Sequence, residues 1–236
     1  MSSQHIILPG ITTTEGADWR ALVAEAGKLG LTTAALFPTI LKQPERRELY
    51  AALEQTSLQT LPHIHLRDDM ERWEMEYFVE RWQSEVFNLH PTEAGVALLE
   101  RLPEYRDRLY LENGRTITSL HLEGLKRCAG VCLDFSHWED FGHTRGNAGY
   151  ADFEAVVEAH GVGCCHISAV IREGWRHPVR SDQVRYNRHY FEELKEFDYL
   201  TRYREYFPRY LSIELENSLA EQLRVKAYLE GTVLRE

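Results

Sequence analysis

Short β-rich runs alternate with amphipathic segments along the whole chain of 236 residues. The eight runs that predict strands are 5–9, 32–38, 61–67, 86–91, 108–113, 130–137, 162–170 and 210–217. Strands that alternate with helices are typical of βα units on a parallel sheet, and closing eight such strands into a barrel leaves no edge exposed. The pattern therefore predicts an α/β fold, a parallel eight-stranded (β/α)8 barrel, as a single domain over residues 1–236.

The segments between the strands carry apolar residues at the spacing of a helix face. In the first of them these residues are Trp19, Leu22, Val23 and Ala26, at i, i+3, i+4 and i+7. Each such segment predicts a helix that covers the sheet. The long connection 171–190, after the seventh strand, is predicted to be a lid over the carboxyl ends of the strands.

Charge and hydropathy restrict the partners. The chain has 37 acidic and 27 basic residues and a net charge of −10, which argues against a polyanion such as nucleic acid. No run approaches the roughly 18 apolar residues of a membrane span, and "MSSQHIILPG" lacks the regions of a signal peptide. The four cysteines lie in apolar or helical segments and are expected to be reduced thiols. We expect a cytoplasmic protein without membrane contact, and the sequence leaves homo-oligomer formation open.

Six consecutive predicted strands end with an acidic residue or a histidine. In a barrel, alternate residues of each strand face inward, and the carboxyl ends of all strands lie at the same end. The polar residues at positions that this alternation predicts to face inward are His63, His65, Asn88, His90, Glu112, Asp134, His166, Glu214 and Glu216. Parity leaves the choice between His63 and His65 open, as well as that between Glu214 and Glu216. We favour His65 because it is nearer the strand end, and Glu216 because "LEN" at 215–217 repeats "LEN" at 111–113.

Several carboxylates in one barrel mouth imply a compensating charge. Their mutual repulsion and loss of hydration are costly unless a cation or bound protons offset them. A divalent metal is the simplest solution, and mixed carboxylate and imidazole donors suit Mn²⁺, Zn²⁺, Co²⁺ or Fe²⁺ better than Ca²⁺; Mg²⁺ is also a candidate. Asp134 is a predicted ligand, and His137 reaches over the same site from the following loop.

These motifs resemble those of one superfamily over most of the chain. "GVCLDFSH" at 130–137, "HIS" at 166–168 and the two "LEN" tripeptides are similar to those of the xylose isomerase-like TIM barrels. The D-x-x-H pair is the most specific of these marks. The superfamily includes sugar isomerases, ketose 3-epimerases and apurinic endonucleases of the endonuclease-four type.

The resemblance to the ketose-epimerase branch implies a single metal. Its ligands would be Glu112, Asp134, His166 and Glu216. The implied activity is a metal-dependent isomerase or epimerase of a sugar or sugar phosphate, which transfers a proton next to a carbonyl through a metal-stabilised enediolate. Glu112 and Glu216, on opposite walls, would remove and return that proton.

Further residues are predicted to bind a carbohydrate-like substrate. The same branch implies that His137 and Arg172 orient the substrate, since Arg172 lies six residues after the seventh-strand histidine. Trp138 and Trp175 follow strands that end at the mouth, so their rings could stack on a sugar. His65, His90 and His177 are additional candidate contacts.

The endonuclease-like branch implies different chemistry. There His65 and His90 would hold a second metal bridged by Glu112, and His137 with His177 would hold a third. The third metal also needs an aspartate where this chain has Trp175, and the acidic surface offers little to grip a DNA duplex. A metal-dependent phosphoesterase is therefore the alternative to the isomerase, and a barrel that binds metal without turnover is the third hypothesis.

Overall fold

The computed structural model of the chain describes residues 5–176 and 184–235. Nine parallel strands form one sheet in the order β1-β11-β8-β7-β6-β5-β4-β3-β2. Their bounds are β1 Ile6–Leu8, β2 Gly10–Thr12, β3 Ala35–Phe37, β4 His63–His65, β5 Val86–Leu89, β6 Leu109–Glu112, β7 Gly130–Asp134, β8 Val162–Ile167 and β11 Tyr210–Ile213. Because Pro9 alone separates β1 from β2 at the two ends of this order, the sheet nearly closes into a barrel. The predicted α/β barrel is confirmed, and each predicted strand run contains a strand.

Helices connect the strands and cover the barrel. They are α1 Trp19–Lys28, α2 Gln43–Leu53, α3 Arg72–Trp82, α4 Glu93–Arg101, α5 Ser119–Leu125, α6 Phe135–His137, α7 Phe153–His160 and α8 Leu219–Thr232, with 3₁₀ segments at Pro103–Arg108, Ala148–Tyr150 and Leu194–Tyr206 and a π-helical segment at Trp138–Thr144. The predicted inner face of α1, from Trp19 to Ala26, is buried. Within the described ranges, no helix has both the length and the apolar character needed to cross a membrane.

The seam of the barrel lies at Pro9, where the first strand is interrupted. Proline lacks the amide hydrogen that a sheet ladder requires. The fully buried side chain of Gln222, on α8, accepts the backbone N–H of Gly10 at 2.7 Å and donates to the Gly10 carbonyl at 3.0 Å. A Cβ atom on Gly10 would lie 1.9 Å from the carbonyl oxygen of Ile213, so only glycine fits at this position. Gln222 thus supplies hydrogen bonds that strand pairing does not supply at the seam.

The barrel interior also contains a cluster of buried apolar residues. It contains Leu8, Ala35, Phe37, Val86, Cys132, Cys164 and Tyr210. A larger apolar layer lies between the sheet and the helices. All four cysteines are free, as predicted, and Cys132 and Cys164 are fully buried.

The predicted lid contains an antiparallel hairpin of β9, Ala169–Arg176, and β10, Val184–Arg188. The fully buried carboxylate of Asp140 holds the base of this hairpin. Its Oδ2 accepts the backbone N–H groups of Tyr186 at 3.0 Å and Asn187 at 3.2 Å, and its Oδ1 pairs with Arg145. The hairpin is therefore attached to the loop that follows β7. That it closes over a substrate remains a prediction.

A buried histidine on α5 makes stability depend on pH. His121 is fully buried, and neither ring nitrogen has a hydrogen-bond partner among the described residues. Burial lowers its pKa to about 4. The unfolded chain, with an ordinary histidine pKa of about 6.5, binds the proton more readily. This group therefore destabilises the fold as the pH falls from about 6.5 to about 4.

We expect His121→Phe to reduce that pH dependence. Relative to the unmodified chain, the variant should gain about 2 kcal/mol in free energy of unfolding when the pH is lowered from 7 to 4.5. Urea denaturation of both proteins at both pH values measures this difference. An equal loss of stability in the two proteins would contradict the assignment to His121.

Candidate metal centre

Four strand ends bring three carboxylates and one imidazole into the mouth of the barrel. Glu112 and Asp134 end β6 and β7, His166 lies one residue before the end of β8, and Glu214 directly follows β11. His166 is in register with Asp134 on one side and with Ser212 on the other. These four residues are no more than 5% exposed. Three buried acids thus surround one histidine.

Three overlapping groups of potential ligand atoms occupy this mouth within the described part of the chain. They are His65 with His90 and Glu112; Glu112 with Asp134 and His137; and Asp134 with His166 and Glu214. In each group the ligand atoms lie within 4.8 Å of one another. Because Glu112 and Asp134 each belong to two groups, the seven residues form one continuous set, which we call the mouth cluster.

The charges in the mouth cluster compensate one another strongly. Burial lowers the pKa of His166, but Glu112, Glu214 and Asp134 outweigh it and raise that pKa to about 10. Burial raises the pKa of Glu214, but His189 and His166 lower it to about 2. Burial likewise acts against ionisation of Glu112, and nearby histidines hold its pKa well below the ordinary value. Glu112 and Glu214 are therefore ionised, and their charge attracts a positive charge to the mouth, either a proton on His166 or a bound cation.

The ring of His166 has the features of a metal ligand. Both nitrogens are buried without a hydrogen bond to any described residue. Nδ1 nevertheless lies 3.3 Å from Oε2 of Glu214 and 3.5 Å from Oε2 of Glu112. Buried polar atoms without partners are rare in folded proteins. A cation between Nδ1 and the carboxylates would give Nδ1 a partner.

In its neutral form, His65 presents a free lone pair to the same carboxylate. Its Nδ1 lies 2.9 Å from the Leu66 carbonyl oxygen, which can only accept, so Nδ1 carries the hydrogen. In the neutral ring Nε2 then faces Oε2 of Glu112 at 3.1 Å without a hydrogen of its own. Two lone pairs at this distance repel unless a cation lies between them. The mixed oxygen and nitrogen donors fit a divalent ion such as Zn²⁺, Mn²⁺ or Co²⁺.

Comparison with solved structures identifies the architecture. The chain aligns with a protein described as a xylose isomerase domain protein from Planctomyces limnophilus, with a TM-score of 0.52, 15% identity and 98% of each chain covered. The two proteins share the α/β barrel fold. An aldo-keto reductase from Bacillus halodurans aligns with a TM-score of 0.47 at 11% identity, over 99% of this chain and 88% of its own. No protein-family model and no curated protein sequence matches the chain.

In this barrel, Glu214 takes the position that the sequence assigned to Glu216. β11 ends at Ile213, so Glu214 lies at the strand end and Glu216 lies in the loop beyond it. The Glu216 side chain turns away and accepts the backbone N–H of Gly16 at 3.1 Å. The structure therefore brings Glu214 into the mouth cluster, whereas the sequence analysis chose Glu216.

The two histidines of β4 have different surroundings. His65 belongs to the mouth cluster, as predicted, whereas His63 lies deeper and bonds to Ser212 and Asn88. His63 is also near the thiols of Cys132 and Cys164. Since both nitrogens of His63 already have hydrogen-bond partners, we regard that inner group as packed core rather than as a metal site.

His90 and His137 lie at the rim of the mouth cluster. The side chain of His90 is 54% exposed, with Nε2 3.8 Å from Oε1 of Glu112. His137 donates through Nδ1 to the carbonyl oxygen of Asn113 at 3.0 Å, and its side chain is 20% exposed. Nε2 of His137 therefore remains available for a substrate or a metal.

Arg172 and Trp138 have surroundings that differ from those predicted. Arg172 is exposed on β9 and lines a cleft of about 1000 Å³, between the hairpin and the 3₁₀ segment Leu194–Tyr206, whose lining contains no member of the mouth cluster. Trp138 is only 6% exposed and packs against Phe153 and Tyr203, so it offers no face for stacking on a sugar.

Trp175 and His177, in the predicted lid, were also predicted to contact the substrate. Trp175 is partly buried in the hairpin and donates its indole N–H to the carbonyl of Asn187 at 2.8 Å. Its predicted stacking role stays a prediction. His177 lies outside the described residues, so its predicted contact stays a prediction.

The sequence analysis missed His189, which follows β10. Its Nδ1 lies 3.2 Å from the Glu214 carbonyl oxygen and 3.3 Å from the Ser168 hydroxyl oxygen, and the side chain is 34% exposed. His189 reaches the mouth from the hairpin. The alternation of inward-facing residues applies only to the predicted barrel strands, so it could not identify this residue. A histidine inside the predicted lid was the available signal.

Proposed function

We propose that this barrel is a divalent-metal-dependent isomerase or epimerase of a small sugar or sugar phosphate. The observation that carries the proposal is the approach of two carboxylates from different strand ends to one imidazole. Glu214 and Glu112 lie 3.3 and 3.5 Å from Nδ1 of His166. Two acids on either side of one site suit a reaction in which a proton is removed by one and returned by the other.

The chain supplies a suitable metal-binding set for this reaction. Asp134, His166, Glu112 and Glu214 would hold a divalent cation. Such a cation polarises a carbonyl group and makes the neighbouring C–H bond more acidic. The burial of these four residues excludes water around the reacting carbon and strengthens the electrostatic interactions there.

The two oxygens of Glu112 have different surroundings, and this difference supports a role in proton transfer. Oε2 accepts the side-chain N–H of Asn88 at 2.9 Å and faces His65. Among the described residues, Oε1 has only long contacts to histidine nitrogens, to His137 at 3.7 Å and to His90 at 3.8 Å. We therefore assign Oε1 as the oxygen that accepts the substrate proton. Through Nε2, His137 and His189 can bind substrate hydroxyl groups.

The test is exchange of substrate hydrogen with solvent. The chain loaded with Mn²⁺ or Co²⁺ should incorporate deuterium from D₂O next to the carbonyl of at least one sugar in a panel of ketoses, aldoses and their phosphates. We expect Glu112→Gln to slow this exchange about 10²- to 10⁴-fold, the usual contribution of a general base. NMR detects the exchange after the metal has been removed by chelation.

Glu123→Gln is the matched control, because Glu123 is an exposed residue of α5. The Glu123→Gln variant should catalyse the exchange of substrate hydrogen at the rate of the unmodified chain. Absence of exchange with every sugar in a metal-loaded preparation would contradict the isomerase proposal.

A metal-dependent phosphoesterase is the second candidate, and one observation favours it. His65, His90 and Glu112 form a separate ligand group beside the group of Asp134, His166 and Glu214. Two adjacent metals are typical of phosphodiester hydrolysis. Two bound Zn²⁺ ions per chain together with hydrolysis of bis(4-nitrophenyl) phosphate would favour this candidate. The net charge of −10 makes DNA the weaker substrate hypothesis.

A further inference from the structure

A layer of polar residues lies directly beneath the mouth cluster. Ser212 on β11, His63 on β4 and Asn88 on β5 are each fully buried. Each precedes a mouth residue by two positions, so it faces the same barrel interior one step below the mouth. The side chains around them, such as Phe37 and Val86, are apolar. Buried polar groups in such a setting require complete hydrogen bonding.

The three residues and Glu112 form one continuous chain of hydrogen bonds. The Ser212 hydroxyl oxygen lies 2.7 Å from Nδ1 of His63. Nε2 of His63 lies 3.0 Å from the amide oxygen of Asn88. The amide nitrogen of Asn88 donates to Oε2 of Glu112 at 2.9 Å. This chain of hydrogen bonds therefore links β11 to β6 through the interior of the barrel.

The last bond fixes the direction of all the others. A carboxylate only accepts, so Asn88 must turn its NH₂ group to Glu112 and its oxygen to His63. That oxygen also only accepts, so Nε2 of His63 must carry a hydrogen. In the neutral ring Nδ1 then accepts from the Ser212 hydroxyl. Every donor points towards Glu112.

We propose that His63 is a positioning residue that acts on Glu112 through Asn88. This inference rests on the proposed metal-dependent function. Without the N–H of His63, the bond to Glu112 alone would hold the Asn88 amide, and its oxygen would lose its buried donor. His63 thus keeps Oε2 of Glu112 in place beside His65, and Oε1 stays directed at the substrate side.

The first test measures Zn²⁺ affinity at constant pH by competition with a chromophoric chelator. His63→Phe removes both hydrogen bonds, and we expect the affinity to fall about 10- to 100-fold, the usual cost of losing a partner that orients a metal ligand. His63→Gln retains an N–H donor and an acceptor, and should recover most of the affinity. His121→Phe, at another fully buried histidine outside this chain of hydrogen bonds, should bind Zn²⁺ as the unmodified protein does.

The second test needs no substitution. Long-range ¹H–¹⁵N NMR spectra of the unmodified protein should show His63 protonated at Nε2 and unprotonated at Nδ1. Protonation at Nδ1 alone, or unchanged Zn²⁺ affinity in a folded His63→Phe chain, would overturn the proposal. If the unmodified chain bound no Zn²⁺, the proposed function would fail, and the tautomer would still decide whether the hydrogen-bond chain exists.

Discussion

A chain carrying Glu214→Gln is expected to lose its bound divalent metal, while a chain carrying Glu216→Gln keeps it. Glu214 is 5% exposed, and Oε2 lies 3.3 Å from the unpartnered ring of His166. Glutamine has nearly the same shape but no charge. Because the loss of an outer partner alone costs about 10- to 100-fold in metal affinity, the loss of a charged ligand should cost more than about 100-fold.

The two variants form a matched pair, since the same substitution is made two residues apart. Glu216 lies outside the mouth cluster and bonds to the backbone of Gly16. Metal content by elemental analysis and Zn²⁺ affinity by chelator competition are the two measurements. Metal loss in Glu216→Gln with retention in Glu214→Gln would restore the sequence-based choice of Glu216 and refute Glu214 as a ligand.

The second large effect concerns stability and a different part of the molecule. Arg46 on α2 and Glu74 on α3 are both fully buried. Glu74 accepts from Nε of Arg46 at 2.7 Å, from Nη2 at 2.9 Å and from the Tyr50 hydroxyl at 2.8 Å. Glu74→Ala leaves a buried guanidinium group with Asp69 and the Leu41 carbonyl as its partners. We expect a loss of about 3–5 kcal/mol in the free energy of unfolding.

Urea denaturation measures this loss. Two further variants show whether it comes from the buried guanidinium group that is left without Glu74. Glu48→Ala removes the exposed pair of Arg20 and Glu48, and should cost less than about 1 kcal/mol. The double variant Arg46→Met, Glu74→Leu replaces both charges by apolar groups and should recover most of the stability. If Glu74→Ala unfolded at the same urea concentration as Glu48→Ala, the buried pair would contribute no more than an exposed one.

The barrel and most of its mouth could be predicted because they follow from short-range periodicity. An alternation of two residues per strand determines which side chains face inward, and Glu112, Asp134 and His166 needed no further information. Parity cannot choose between residues two apart, however. The distinction between Glu214 and Glu216 depends on where β11 ends, which the surrounding structure decides.

The repeated "LEN" tripeptide misled the sequence-based choice for a physical reason. The asparagine has the same role in both copies, because its side chain forms hydrogen bonds to the backbone of another segment of the chain. Asn113 bonds to the backbone of Asp134, and Asn217 bonds to the backbone of Phe191. The repeat therefore reflects two loop anchors rather than two metal ligands. Trp138 was similarly misassigned, because the π-helical segment that buries it has no simple periodic signal in the sequence.

The seam at Pro9 has a consequence for synthesis of the chain. The hydrogen bonds that Gln222 makes to Gly10 join residues 212 positions apart. A ribosome releases β1 and β2 long before β11 and α8, so the first two strands must wait for these elements before they acquire their last partners. The nascent polypeptide therefore carries an open strand edge during most of translation, and the ring of strands can become complete only after α8 has emerged.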